Sequence, residues 1–318
     1  MAQNPDFISK PAFLVGAERS GTTVLRLMLK SHPKVTWCNE FEYAVDLLSD
    51  QGQAPDLNQY YEWLDIHRIF RATGFEIDRS LTYPELMNSF LVQKRDVEAK
   101  PIIGATVHRH FDRVLHIWPD ARFIHIIRDP RDVARSCIGM GWSGNVWFGV
   151  ERWHEAEQLW NKVKQIVPEE RQCELIYEEL IAEPVLTLTK VCEFLDIPYT
   201  QEMFNYTQNS NYEYPDPKYI YQWKRKLSEQ EIQLVEKKVG KLLVERGYEL
   251  SKLPPIQVTP MMEKKLKLQN WSGRVQDRVK RFGLPLVMED FMARKFGSKQ
   301  WQKKVQLEIN EIIQKRLK

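Results

Sequence analysis

Short apolar runs alternate with stretches of helical periodicity along the first 250 residues of the chain. The runs are three to six residues long and end at polar or turn-forming residues, as buried strands do. We predict strands over five segments: 13–15, 35–39, 101–105, 122–127 and 174–177.

The segments between the predicted strands place apolar residues three or four positions apart. This spacing puts those residues on one face of a helix. Helices are predicted over 22–29, most of 41–98, 111–118, a segment opening at 130, 147–163, 184–195 and 228–247. Strands that alternate with helices form a parallel sheet covered on both faces, so the pattern predicts an α/β fold.

The alternation ends near Pro254 and Pro255, and the sequence beyond them is basic. Residues 251–318 contain 16 Lys and Arg against 6 Asp and Glu, a net charge of +10, whereas residues 1–250 carry −7. We predict a main domain over 1–250 and a basic helical C-terminal extension over 251–318. The extension has two main interpretations: contact with an anionic membrane surface, or packing on the acidic main domain or on a second copy in a homo-oligomer. Nucleic-acid binding by the extension is a weaker third option.

Composition narrows the functional class. The 318 residues are 43% hydrophobic, which is enough for a full core, and the overall charge of +3 gives no reason to expect a nucleic-acid partner. The four cysteines are widely spaced without a C-x-x-C pair, so neither a zinc site nor a disulfide framework is expected. No signal-like N-terminus and no apolar run of about 18 residues is present, so the expectation is a soluble cytoplasmic protein.

Residues 16–23, directly behind the first predicted strand, have the spacing of a phosphate-binding loop, G-x-x-x-x-G. Glycines let backbone N–H groups close around a phosphate, and the following helix presents its N-terminus to the same anion. A nucleotide hydrolase needs a Lys after the second glycine, but Thr22 occupies that position and Arg19 is the loop's cation. We therefore predict a P-loop-type three-layer sandwich with a central parallel sheet of four to five strands. Its loop would bind a ligand with a lone 5′-phosphate.

Two further groups of polar residues follow predicted strands. Arg128 comes directly after 122–127, and Ser136 lies two helical turns later, so the pair could hold a second phosphate. The alternative interpretation of this segment is a salt-bridged helix start. Glu40 and His108 each follow a strand and are candidates for a general base, although a surface glutamate and a solvated basic face are the simpler interpretations.

Four segments together resemble sulfotransferases that use 3′-phosphoadenylyl sulfate (PAPS). They are 13–33, 119–136, 177–184 and 191–199, in the order of that family, and the resemblance extends over about 11–247. Its closest match is the bacterial and tyrosylprotein-type branch. The resemblance implies sulfuryl transfer to an acceptor hydroxyl, with PAP as the product and without a metal.

The resemblance also assigns roles. Arg19 would stabilise the leaving 5′-phosphate, with Glu40 or His108 as general base, and Glu40 is preferred because it matches the carboxylate of the tyrosylprotein-type branch. The nucleotide-binding residues would be Arg19, Ser20, Gly21, Thr22 and Thr23 at the 5′-phosphate, Arg128 and Ser136 at the 3′-phosphate, and Tyr177 and Lys224 near the nucleotide.

This sequence departs from the family pattern after the 101–105 strand. Relatives often have a Lys where this chain has 105–107, Ala-Thr-Val, so Arg109 or Lys224 would have to supply that charge. Two other functions remain open: a P-loop kinase or nucleotide hydrolase, and a PAP-binding scaffold at membranes that does not catalyse transfer. The acceptor is of unknown class, whether small molecule, lipid, sugar or peptide.

Overall fold

The computed structural model describes residues 7–317 and confirms the α/β architecture. Five parallel strands form one sheet in the order β2-β3-β1-β4-β5. The strands are β1 (Ala12–Val15), β2 (Val35–Glu40), β3 (Ile102–Val107), β4 (Arg122–Ile127) and β5 (Gln172–Ile176). All five lie at or near the predicted segments.

The two faces of the sheet are buried in separate cores. Phe13 and Val15 of β1 pack into one core, while Ala12 and Leu14, which point the other way, pack into the second. Both faces are apolar because helices cover both, as is typical of parallel sheets. The predicted three-layer sandwich is therefore confirmed.

The helices surround this sheet. They are α1 (Thr22–Ser31), α2 (Leu57–Leu64), α3 (Arg68–Arg71), α4 (Tyr83–Glu98), α5 (Pro130–Gly139), α6 (Val146–Gly149), α7 (Glu151–Ile166), α8 (Tyr177–Ala182), α9 (Pro184–Phe194), α10 (Tyr206–Asn209), α11 (Trp223–Lys226), α12 (Glu229–Glu245), α13 (Pro260–Phe282), α14 (Leu284–Phe296) and α15 (Lys299–Leu317). Short 3-10 helices occupy Glu42–Ala44, Phe111–His116, Glu169–Arg171, Gln201–Phe204 and Pro217–Tyr219.

The structure corrects two predicted boundaries. The helix predicted over 147–163 is two helices that meet at Val150, which belongs to neither. Tyr177, predicted as the end of a strand, is the first residue of α8. This change matters for the site, because it places the ring of Tyr177 against the loop that follows β1.

The strand order brings the predicted polar residues to one edge. Because all five strands are parallel, their carboxyl ends share that edge, and Gly16, Glu40, His108, Arg128 and Tyr177 lie at or directly behind them. The chain moves from β1 to one side of the sheet for β2 and β3, and to the other for β4. Ligands of open α/β sheets bind at such a reversal, here between β1 and β4.

The C-terminal helices pack on the main domain at two places. Leu266 of α13 is buried in a core formed mainly by α5, α7 and α12, and its carbonyl oxygen accepts a hydrogen bond from the Asn145 side chain. Asn310 of α15 donates to the carbonyl oxygen of Ile66. Among residues 7–317, no helix is both long and apolar enough to cross a bilayer. The domain boundary at residue 250 stays a prediction.

Glu178 in α8 joins three parts of the fold. Its carboxylate accepts hydrogen bonds from the backbone N–H of Asp129, at 3.1 Å, and from the hydroxyl of Tyr248, at 2.8 Å. Burial raises the pKa of Glu178 to about 7, and the charge of Asp129 adds to this, although the two hydrogen bonds act in the opposite direction.

We expect this carboxyl to make the fold less stable as the pH rises. The native state binds the proton of Glu178 more tightly than the unfolded chain does. The stabilisation from this proton is therefore complete below the unfolded pKa of 4.5 and is lost as the pH rises to about 7. Between pH 4.5 and 7, the wild-type free energy of unfolding should fall by up to about 3 kcal/mol because of this group, and Glu178→Gln should remove that fall. Urea unfolding at several pH values measures this, with the exposed Glu193→Gln as control. Parallel curves for wild type and Glu178→Gln would contradict the assignment.

Candidate active site

The loop between β1 and α1 is closed by two glycines that no other residue could replace without rearrangement. A Cβ on Gly16 would collide with the carbonyl oxygen of Ile126 in β4, and a Cβ on Gly21 would collide with the ring of Tyr177. Both glycines also have positive φ angles, 134° and 93°. The loop is therefore held tightly between β4 and α8.

Arg19 is the strained residue of this loop. Its φ of 73° lies in the left-handed region, which non-glycine residues seldom adopt. Such backbone costs on the order of 1 kcal/mol and is found most often at functional sites. The side chain reaches towards α5, where its Nε donates a hydrogen bond of 2.9 Å to the Ser136 hydroxyl.

Two polar groups of the loop are available to a ligand. The buried Ser20 hydroxyl has no hydrogen-bond partner within the described residues. Helix α1 starts at Thr22 with no side-chain cap on its first N–H groups. Unpaired N–H groups at a helix start attract anions, so the loop can bind a phosphate.

Arg128 lies on the β4 side of the same site. Its guanidinium donates to the carbonyl oxygens of Arg19 and Tyr219, at 3.1 and 3.0 Å, and lies 4.3 Å from the centre of the Tyr177 ring. The Nε of Arg128 is buried and has no partner among residues 7–317. The predicted pair of Arg128 and Ser136 therefore lies next to the loop.

These groups surround one cavity of about 450 Å³, which is a suitable size for a nucleotide. Three arginines line it, Arg19, Arg128 and Arg135, against a single carboxylate, Glu213, which already binds Lys218 and Tyr219. The other lining residues are Gly21, Thr22, Thr23, Val24, Ser136, Tyr177, Ile181, Asn211, Tyr212, Tyr214, Pro215, Tyr219 and Gln222. The excess of positive charge favours an anionic ligand.

The structure places most of the predicted nucleotide-binding residues at this cavity, but not all of them. Ser20 is buried and is not among the lining residues, and neither is Lys224. The Lys224 ammonium instead lies 4.9 Å from the Tyr221 ring centre. Sequence reasoning missed Arg135 and the segment 211–215, and the tyrosines of that segment gave no motif that could have indicated them.

His108 belongs to a buried chain of polar groups that the sequence analysis missed. Its Nδ1 lies 2.7 Å from a carboxylate oxygen of Glu42, and its Nε2 lies 3.0 Å from the Thr22 hydroxyl. Burial alone would lower the pKa of His108, but the hydrogen bond and charge of Glu42 outweigh it and raise that pKa. The pKa of Glu42 is correspondingly lowered, because His108 outweighs the effect of its burial.

Glu40 is less confined than Glu42. Its side chain is 42% exposed, and its carboxylate lies 4.0 Å from the Arg68 guanidinium. Arg26 of α1 interacts electrostatically with both glutamates. Burial lowers the pKa of Arg26, and the negative charges of Glu40 and Glu42 partly offset that decrease. Arg26 follows Thr22 by one helical turn, a spacing that could have marked it as a site residue.

Arg109, one of the two cations that could replace the Lys expected after β3, is paired with a carboxylate. That guanidinium makes a two-fold hydrogen bond to the Asp46 carboxylate, at 2.8 and 2.7 Å. The strand ends in Thr106 and Val107. Arg26 interacts electrostatically with Glu40 and Glu42 but does not line the cavity.

A protein-family model described as the sulfotransferase family matches residues 11–201, more than half of the chain. The chain belongs to the sulfotransferase family. The matched segment includes the loop, both candidate bases, Arg128 and Ser136. The family resemblance inferred from the sequence is thus confirmed.

Two curated relatives and one solved structure show what this chain is similar to. It is 23% identical over 215 residues to a protein-tyrosine sulfotransferase of Drosophila melanogaster, covering 63% of this chain and 40% of that protein. It is 26% identical over 209 residues to protein-tyrosine sulfotransferase A of Caenorhabditis elegans, covering 62% and 52%. The chain thus spans about half the length of these relatives, or less.

The solved structure is the sulfotransferase domain from the curacin biosynthetic pathway. Its TM-score is 0.55 at 16% identity, and the match covers 77% of this chain and all of that domain. At this identity the likeness establishes the fold. The chain therefore shares its sheet and flanking helices with a solved sulfotransferase domain.

Proposed function

We propose that the protein transfers a sulfuryl group from PAPS to an acceptor hydroxyl. The hydroxyl oxygen attacks sulfur, and the bond from sulfur to the bridging oxygen of the 5′-phosphate breaks. The acceptor proton passes to a general base, and PAP leaves with the electron pair of the broken bond. Such in-line transfer depends mainly on positioning and on stabilising charge.

One observation carries this proposal. The cavity has two sets of anion-binding groups that adjoin each other: the loop with the start of α1, and Arg128 with Ser136, whose hydroxyl accepts a hydrogen bond from Arg19. PAP carries two separate phosphates, at its 5′ and 3′ positions, one for each set. A nucleotide with a linear triphosphate has no 3′-phosphate for Arg128 and Ser136. Arg19 would stabilise the negative charge that develops on the bridging oxygen.

Glu40 is the general base in this proposal. Both ring nitrogens of His108 are already engaged, one by Glu42 and the other by Thr22. The raised pKa of His108 favours its protonated form, which cannot accept another proton. Among residues 7–317, the ion-pair contact of the Glu40 carboxylate is the 4.0 Å one with Arg68, which leaves an oxygen to take the acceptor proton.

His108 would act as a positioning residue for Thr22. A protonated Nε2 donates to the Thr22 oxygen, which leaves the hydroxyl hydrogen of Thr22 free to point at a phosphate. Thr22 lines the cavity, so this donor faces the proposed ligand. The acceptor is assigned only as a hydroxyl compound. Protein tyrosine is the acceptor named for the two curated relatives, which makes tyrosine peptides the first class to assay.

Ligand-induced stabilisation distinguishes this function from a kinase or hydrolase. At a concentration a hundred times its Kd, PAP should raise the melting temperature by about 5 °C or more. ATP with Mg²⁺ should raise it far less, because it lacks the 3′-phosphate. Ser136→Ala should reduce the PAP shift, and Ser89→Ala, in a part-buried site away from the cavity, serves as its control.

Equal stabilisation by PAP and by ATP with Mg²⁺ would contradict the proposal, and ATP turnover would support the kinase or hydrolase. PAP binding without transfer to any member of a panel of phenols, alcohols and tyrosine peptides would favour the scaffold.

A further inference from the structure

Helix α14 exposes a stripe of large apolar side chains. Leu284, Met288 and Phe291 follow one another at spacings of four and three, so they lie on one face, and each is more than half exposed. Met292 and Phe296 adjoin this face, with exposed fractions of 40% and 67%. Single exposed apolar residues are ordinary, but five on one 13-residue helix indicate a contact surface.

The exposed stripe is separate from the face by which α14 packs. Leu286 and Ala293 are buried against Val305 and Ile309 of α15. The buried Asp290 on that side pairs with Arg278 and Arg294. Helix α14 is thus apolar on two opposite faces, and within residues 7–317 its packing uses the face towards α15.

Positive charge lies beside the exposed stripe. The Lys295 ammonium is 5.7 Å from the Phe291 ring centre and 5.2 Å from that of Phe296. Lys299 and Lys304 follow at the start of α15 and are exposed, whereas Lys303 pairs with Asp65 of the main domain. The whole extension carries +10. Apolar side chains bordered by lysines match a lipid surface, where the chains enter the headgroup region and the cations bind anionic lipids.

Helix α13 carries a second surface of this kind. Met261, Leu268 and Trp271 are at least 64% exposed and lie on one face at spacings of seven and three. Lys264 and Lys265, both exposed, lie beside them. Tryptophan is favoured at membrane interfaces because its ring is apolar and its N–H is polar.

We propose that the C-terminal extension docks on an anionic bilayer through the exposed stripe of α14. A symmetric contact with a second copy would place the same surface against itself and bring its lysines together, which charge repulsion opposes. Nucleic acid would satisfy the lysines but leave the five apolar side chains uncovered. The proposal does not depend on the sulfotransferase reaction, and its test measures binding alone.

The test is co-sedimentation of the full chain with vesicles. The protein should sediment with vesicles of equal parts phosphatidylserine and phosphatidylcholine, and stay in solution with phosphatidylcholine alone. Phe291→Ser with Phe296→Ser should lower partitioning about thirtyfold. The control, Ile166→Ser with Leu186→Ser, removes apolar side chains of similar exposure, 64% and 67%, outside the extension and should change nothing.

Charge is tested separately. Lys295→Glu with Lys299→Glu should lower partitioning about tenfold or more, and added salt should also weaken it. Lys237→Glu with Lys241→Glu, in exposed positions of α12, is the matched control. Unchanged melting temperatures would show that all variants fold.

Three results would overturn the proposal: no partitioning of the wild type, equal partitioning into neutral and anionic vesicles, or a dimer in ultracentrifugation that the double Phe variant dissociates. The last would make the α14 stripe a contact between copies.

Discussion

Arg19→Ala should lower kcat about a thousandfold or more while weakening PAP binding by less than about tenfold. The reason is that Arg19 is proposed to stabilise charge that develops on the bridging oxygen only as the sulfur bond breaks, and loss of such a donor costs two to three orders of magnitude or more. Alanine has the same Cβ as arginine, so the left-handed backbone at φ 73° is strained equally in both. The loop should therefore keep its shape.

The measurement pairs initial rates with PAP titrations. Rates are taken with the acceptor that reacts fastest in the panel of hydroxyl compounds. Arg19→Lys keeps the charge without the planar guanidinium and should fall between wild type and Arg19→Ala. Arg79→Ala, which removes an exposed guanidinium far along the sequence from the loop, should behave as wild type. Normal turnover by Arg19→Ala would exclude the proposed role.

Glu40→Gln should lower kcat about a hundredfold or more near neutral pH. Glutamine keeps the shape of the side chain but cannot accept the acceptor proton. The exposed Glu62→Gln is the matched control.

The same experiment tests His108. His108→Gln removes the partner of Thr22 and should weaken PAP binding while lowering kcat far less than Glu40→Gln does, because the proposed base is still present. If His108→Gln instead lowered kcat about a hundredfold and Glu40→Gln left it near the wild-type value, the base would be His108. Melting temperatures are needed here, since removal of His108 leaves the buried Glu42 without its ring partner.

The loop and the strands could be predicted because their signals are local. Residues 12–15 and 122–127 are apolar runs of strand length, and residues 16–23 are one contiguous loop. A parallel sheet brings strand ends together, so residues that follow strands could be placed at one edge before any contact was known. This is why Arg19, Arg128 and Ser136 were all predicted at the site.

The chain from Thr22 through His108 to Glu42 could not be predicted in the same way. Its two hydrogen bonds join residues 86 and 66 positions apart. Glu40 and Glu42 are two residues apart and look equivalent in the sequence. Their difference arises from burial: Glu42 is enclosed with His108, while Glu40 stays partly exposed.

Local sequence patterns were thus sufficient to predict the sheet, the phosphate-type loop and the basic extension. Hydrophobic periodicity, glycine positions and net charge are all properties of neighbouring residues. The folded chain alone showed which side chains line the cavity, that Lys224 is not among them, that His108 is engaged at both nitrogens, and that α14 leaves an apolar stripe exposed. Each of these features depends on how segments distant in the sequence pack together, because that packing determines burial and hydrogen bonding. No local sequence pattern indicates such packing.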